Sequence, residues 1–141
     1  MGRYTVIYNT RTDSGQAVFL EDFWTGDITE LLKFDRAVDI LWAPDGNTLA
    51  IRDWMTREAS TIWIVEPRRP SELLDLRVVS RQFLGNDPMT TKNEPVYYEA
   101  LRWKSPRILV FKISGRGNHD PAGFEDFFEY GLGGTVSRID R

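Results

Sequence analysis

Few residues of this chain are suited to chemistry, and they fall in two short stretches near its end. The single histidine, His119, lies beside Asp120 in the run Ser114-Gly115-Arg116-Gly117-Asn118-His119-Asp120-Pro121. A histidine next to a carboxylate can serve as a general base if a nucleophile is within reach. The chain has no cysteine and no Gly-x-Ser-x-Gly elbow, so the commonest nucleophile arrangements are missing. An exposed polar loop explains the pattern without catalysis. Acidic residues do not recur at alternate positions there, as a calcium loop would require. The second stretch, Glu125-Asp126-Phe127-Phe128-Glu129, holds neighbouring carboxylates, the residue type that glycosidases use in pairs. In a strand, Glu125, Phe127 and Glu129 would point one way, and Asp126 and Phe128 the other. That describes an acidic strand with a half-buried aromatic. No catalytic residue, metal site or cofactor site is expected, and the chain is read as a non-enzyme.

Binding chemistry is better represented. Aromatics make up 13% of the residues, with five Trp, five Tyr and eight Phe. Trp24, in Glu21-Asp22-Phe23-Trp24, and Trp54, in Asp53-Trp54-Met55-Thr56-Arg57-Glu58, sit close to expected turns. Such rings either cap a core or anchor a partner, because Trp and Arg dominate interface energetics. The polar run Arg81–Pro95 is too long for a tight turn. It is either a structural connector or a recognition loop.

The bulk properties narrow the classes. A chain of 141 residues with 41% hydrophobic and 28% charged residues has the make-up of one globular domain. Its net charge of −3 comes with no Lys/Arg stripe, so no nucleic-acid footprint is expected. Arg68, Arg69, Arg77 and Arg81 are interleaved with Glu66, Glu72 and Asp75, which describes a mixed solvated surface. Without cysteine there are no disulfides or thiolate metal sites. No apolar run approaches the ~20 residues of a membrane span. The start carries no signal-peptide stretch. A periplasmic location is expected if an export signal has been removed, and a cytoplasmic one otherwise.

Short apolar runs separated by turn residues predict strands over Tyr4–Asn9, Gln16–Phe23, Ile28–Phe34, Val38–Trp42, Thr48–Asp53, Thr61–Glu66, Leu73–Val79, Tyr97–Trp103, Arg107–Ser114, Glu125–Tyr130 and Thr135–Ile139. Ser71–Phe83 could instead hold a helical turn after Pro70. The runs repeat. Val6-Ile7-Tyr8-Asn9 aligns with Ala50-Ile51-Arg52-Asp53, and Val18-Phe19-Leu20 with Ile62-Trp63-Ile64, both at a separation of 44. Glu30-Leu31-Leu32 then aligns with Glu72-Leu73-Leu74. A looser third copy contains Trp103, which like Trp42 ends a strand before a Pro-containing turn. A period in the low forties with four short strands is that of a propeller blade.

Ile40-Leu41-Trp42-Ala43-Pro44-Asp45-Gly46-Asn47 resembles the signature hairpin of TolB-type β-propeller repeats, with Ala43 where that family usually has Ser. The resemblance implies that Trp42 ends an innermost strand. Thr61–Glu66 would then be a third strand and Glu72-Leu73-Leu74 a fourth. The expected fold is all-β: two to three blade-like antiparallel sheets forming an open, incomplete β-propeller. One domain over residues 1–141 would contain approximate repeats 3–34, 37–79 and 97–140, the first without its innermost strand. Trp42 and Trp103 should be equivalent, buried positions.

In such a fold the longer polar connections fall on one face, and that face is the expected binding surface. Its candidate residues are Arg11, Asp13, Trp54, Arg57, Glu58, Arg81, Asp87, Arg116, His119 and Asp120. The expected role is a soluble, non-catalytic protein-binding module, such as an assembly adaptor or a bacterial immunity protein inhibiting a secreted toxin. Homodimerisation is one way to fill the opening. A small-molecule or glycan-binding fragment, or an enzyme subunit completed by another chain, is the alternative.

Overall fold

A computed structural model describes residues 3–12, 15–56, 59–84, 96–117 and 120–139. The side chains of 7–12, 56, 84, 116, 117 and 120–122 lie outside that description. The chain forms three antiparallel sheets that do not join into a ring. The first holds β1 (Tyr4–Thr12), β2 (Gly15–Asp22) and β3 (Ile28–Phe34), in that order. The second holds β4 (Ala37–Trp42), β5 (Leu49–Thr56), β6 (Ala59–Val65) and β7 (Leu74–Asp75). A helix, α1 (Leu76–Leu84), leads on to the third sheet. There β8 (Val96–Ser105), β9 (Ile108–Gly117), β10 (Asp120–Gly131) and β11 (Thr135–Ile139) again lie in sequence order.

Two apolar layers join the sheets. Val18, Leu20, Leu31 and Phe34 of the first sheet pack on Val38, Leu49, Ile51 and Val65 of the second. Ala50, Ile62 and Ile64, on the opposite face of the second sheet, pack on Tyr98, Leu109, Phe111, Ile113, Phe128 and Tyr130 of the third. The second sheet is therefore apolar on both faces, which the period of two allows only when each face has a neighbour. The far face of the third sheet differs. Along it Lys112 lies 3.6 Å from Glu99 and 3.4 Å from Glu125, and Lys104 lies 3.0 Å from Glu129.

Strand pairing repeats at the spacing seen in the residues. Thr5 faces Glu21, Val6 faces Leu20 and Ile7 faces Phe19. Forty-four residues on, Leu49 faces Val65, Ala50 faces Ile64 and Ile51 faces Trp63. The hairpin between β4 and β5 follows from turn chemistry. Gly46 takes a φ of +71°, and Asp45 Oδ1 accepts the Asn47 N–H at 3.0 Å. An L side chain would resist that backbone conformation.

Two expectations need correction. Only Leu74–Asp75 of the expected strand Leu73–Val79 is strand, and the chain turns helical at Leu76. Asp75 Oδ1 accepts the Arg77 N–H at 3.0 Å and the Thr61 hydroxyl at 2.5 Å, capping the helix start. Leu76 is fully buried beneath it. Trp42 and Trp103 are equivalent in register, opposite Leu49 and Leu109, but each is half-buried rather than buried. Both lie at or near the end of an edge strand, and among the described residues no further strand lies beside them.

Candidate functional site

Two arginine–tryptophan stacks mark the described surface. The first is built on the turn between β2 and β3. Gly26, at φ +79°, donates its N–H to the Asp22 carbonyl at 2.7 Å, and Asp22 in turn donates to the Asp27 carbonyl at 2.9 Å. This closes the turn and lifts Phe23 and Trp24 clear of the sheet. Arg3 grips Asp22 with both prongs, Nε to Oδ1 at 2.9 Å and Nη2 to Oδ2 at 2.8 Å. Asp22 Oδ1 also accepts the Trp24 N–H at 2.9 Å. The Arg3 guanidinium lies 4.4 Å from the Trp24 ring centre, within cation–π range. The Arg3 fork, opposed by partial burial, lowers the Asp22 carboxyl to about 2, and the same hydrogen bond raises Arg3.

Apolar surface is displayed around this fork. Trp24 is 77% exposed, and Phe23 and Ile28 are each 58% exposed. Beside them a cleft of about 370 Å³ runs to the Pro67–Pro70 segment, with Arg68 and Asp27 in its walls.

The second stack lies where β5 meets β8. The Arg52 guanidinium lies 3.9 Å from the Trp54 ring centre, and Trp54 tilts against Tyr97 at 5.7 Å. Arg52 Nη1 is 3.6 Å from Glu99, and its Nε donates to Ser60 at 3.4 Å. Ser60 also bridges the sheets, donating to the Tyr98 carbonyl at 2.9 Å and accepting the Tyr98 N–H at 3.0 Å. Burial lowers the Arg52 pKa, opposed by Glu99 and Asp39. Nearby, Asp53 accepts the Trp63 indole N–H at 3.3 Å, but burial is the larger influence and raises its carboxyl.

Of the ten expected partner-binding residues, Trp54 and Arg81 are described with their side chains. Trp54 belongs to the second stack. Arg81 is exposed in the last turn of α1, above the Tyr98 hydroxyl. Burial pushes that hydroxyl up to about 12, and Arg81 and Arg77 oppose the rise. Arg11, Arg116 and Asp120 lie on β1, β9 and β10, described by backbone alone. Asp13, Arg57, Glu58, Asp87 and His119 lie outside the described residues. Arg3, Asp22 and Arg52 were missing from the sequence-based set. Arg3 and Arg52 are single arginines among strand residues, and nothing local in the sequence marks either as a stacking partner.

Glu125 and Glu129, the acidic pair of β10, are each engaged with a lysine. Among the described residues no cluster of His, Asp and Glu could hold a metal. No described helix is long and apolar enough to cross a membrane. Among the described residues there are open clefts, such as that of about 410 Å³ between Glu66, Glu72, Tyr130 and Leu132.

No protein-family model matches the chain. No curated protein matches it either. Solved structures do. A TolB structure from Acinetobacter baumannii is 12% identical, with a TM-score of 0.50 over 99% of this chain and 31% of that one. A protein assigned as TolB from Agrobacterium tumefaciens is 16% identical, with a TM-score of 0.48 over 97% of this chain and 45% of that one. The chain spans less than half the length of either. The fold is an open, incomplete β-propeller. This likeness speaks to architecture, and function has to be argued from the surface.

Proposed function

We propose that the chain is a non-catalytic protein-binding module, acting as an inhibitor of another protein or as an assembly adaptor. The observation that carries this reading is the Trp24 tip: three large apolar side chains held out in solvent on a turn fixed by the Arg3–Asp22 fork. Leaving Trp24, Phe23 and Ile28 in water forgoes burial worth about 25 cal/mol per Å². A rigid exposed Trp beside an Arg is the chemistry of an interface anchor, and its order before binding reduces the entropy lost on association. The open clefts favour a protein surface over an enclosed small ligand. The longer connections, with Arg11, Asp13, Trp54, Arg57, Glu58, Arg81, Asp87, Arg116, His119 and Asp120, form a second proposed contact surface. An inhibitory role predicts that the partner has an activity for the chain to block. A secreted toxin or effector is one such partner.

The test is affinity for a partner recovered from native cells, measured with folded variants. Trp24→Ala combined with Phe23→Ala should weaken binding at least tenfold, on the order of 1.4 kcal/mol. Charge reversal of Arg57 and Arg116 together should also weaken it if the loop surface takes part. Unchanged affinity in both double variants would overturn the reading.

A further inference from the structure

The segment 66–72 is a wall of two clefts. Pro67, Arg68 and Pro70 line the one beside the Trp24 tip, and Glu66, Arg69 and Glu72 line the other, of about 410 Å³. The second cleft opens where the apolar layer between the second and third sheets reaches the surface. Ile64 and Tyr130 belong to that layer, and Leu74 and Leu132 pack against it. Backbone hydrogen bonds fix both walls. On one side the Glu66 carbonyl accepts the Arg69 N–H at 2.8 Å, and the Arg69 carbonyl accepts the Glu72 N–H at 3.0 Å. On the other, the Arg107 carbonyl accepts the Leu132 N–H at 2.9 Å. Walls held in this way have little freedom left to lose when the cleft is filled.

The polar groups of this cleft are under-used. Tyr130 lines it and is only 3% exposed, yet among the described residues its hydroxyl makes no hydrogen bond, although a buried Tyr hydroxyl normally has a partner. Burial raises the Tyr130 phenol, and the neighbouring Glu66 charge adds to the rise. The group therefore stays a hydroxyl and keeps a lone pair to offer. Glu66 is half-buried, and among the described residues no cation lies within ion-pair distance of its carboxylate. Glu72 has Arg69 at 3.9 Å, with the two side chains 67% and 70% exposed, an arrangement that contributes little. Two carboxylates against one guanidinium leave the cleft acidic above its apolar floor.

A free acceptor, an unpaired carboxylate and apolar walls are the complement of a basic side chain, which carries a cationic donor on an aliphatic stem. We infer that this cleft takes a lysine or arginine side chain of the protein that docks on the Trp24 tip. Its stem lies against Leu74 and Leu132, and its head is shared by the Glu66 carboxylate and the Tyr130 hydroxyl. The inference rests on the protein-binding reading and adds the chemistry of a second anchor. Continuity with the tip favours a partner protein, because a surface covering the first cleft reaches the second by crossing one segment. A second copy fits poorly. A two-fold axis at the cleft would set Glu66 and Glu72 against the same two carboxylates, and the chain carries a net charge of −3. A free small cation would leave most of an open cleft unfilled.

The probes are capped Gly-Arg-Gly and Gly-Lys-Gly peptides, with Gly-norleucine-Gly as the uncharged control, titrated at millimolar concentration into the full chain. Methyl NMR reads Ile64, Leu74 and Leu132 at the cleft, and Leu20 and Val38 away from it. At least one basic peptide should give saturable shifts confined to the cleft methyls, and the control should bind about fivefold more weakly, the scale of one partly exposed charge pair. Glu66→Gln, which keeps the carbonyl that fixes the turn, should remove that advantage, and Tyr130→Phe should reduce it. Should the Glu66 variant fail to fold, raising the salt on the parent reads the same charge, because screening should erase the difference from norleucine. Four outcomes would overturn the inference: no saturable shift, norleucine bound as tightly as both basic peptides, an advantage that survives both Glu66→Gln and high salt, or free butylguanidinium bound more tightly than the peptides. Concentration-dependent shifts at the same methyls with no peptide present would assign the cleft to a second copy and also overturn it. Trp24 lies outside this cleft, so Trp24→Ala should leave peptide binding unchanged. A peptide that fails to bind therefore counts against the basic anchor, and a partner that ignores Trp24 counts against the proposed function.

Discussion

Arg3–Trp24 and Arg52–Trp54 are the same pair of side chains put to opposite uses. At Arg3 the guanidinium is satisfied by a carboxylate on its own hairpin, 19 residues away, and the Trp it stacks on is left in solvent. At Arg52 the carboxylate belongs to the next sheet, 3.6 Å away on β8, and is shared with Lys112. There the Trp leans on Tyr97 of that sheet rather than facing out. The first stack fixes one turn, and the second ties two sheets together. A cation–π pair takes its role from where the arginine's counter-charge sits.

The largest effect that should separate the stacks is on stability. Trp54→Ala should cost about 2 kcal/mol, below the range for a fully buried Trp because the residue is only partly buried. Trp24→Ala should stay within about 0.5 kcal/mol, as for other surface substitutions. Denaturant titration of both variants measures the contrast. Equal losses would erase the distinction drawn here.

A smaller effect concerns Asp53, behind the inner stack. Burial raises its folded-state pKa, with Asp35 and Asp75 adding to the rise. The ionised form therefore opposes folding. This group's contribution is most favourable below its unfolded value of about 3.9, and is lost as pH rises through the folded value. Asp53→Asn keeps an acceptor for Trp63 and should be more stable than the parent at pH 7. The gap should close as the pH falls toward 4. A variant that is less stable at pH 7 would show that the charge is needed where it lies.

Asp22 should behave in the opposite sense. Its carboxyl is held at about 2 by the Arg3 fork, so its contribution is present above the unfolded value of about 3.9 and fades as the pH falls through the folded one. A carboxyl-carbon NMR titration should give a midpoint near that value, moving up toward the ordinary range in Arg3→Ala. An Asp22 midpoint that ignores the Arg3 substitution would mean that the fork is not what orders the turn.

Much of this architecture could be read from the residues. The alternating runs and the Pro44-Asp45-Gly46 turn placed the strands, and the residues aligned at a spacing of 44 hold equivalent places in the registers of two hairpins. The exception, Leu73–Val79, shows the limit. Leu74, Leu76, Val78 and Val79 fit a strand, while Asp75 also caps a helix, and only its bonds to Thr61 and the Arg77 N–H decide between them. The stacks were harder to see. Trp24 was noticed as a turn aromatic, but its partner Arg3 is 21 positions earlier. Trp54 meets Tyr97 across 43 positions. Such contacts come from how sheets stack, which no local pattern records.

The most direct test of the central claim, that the Trp24 tip is a recognition surface, is site-specific photo-crosslinking in native cells. A photoreactive phenylalanine analogue is placed at position 24, and in a separate variant at position 137, where Ser137 is exposed on β11. The account predicts a discrete adduct with one protein from position 24, lost on adding Phe23→Ala and Ile28→Ala, and none from position 137. No adduct at position 24, or the same adducts from both positions, would contradict it.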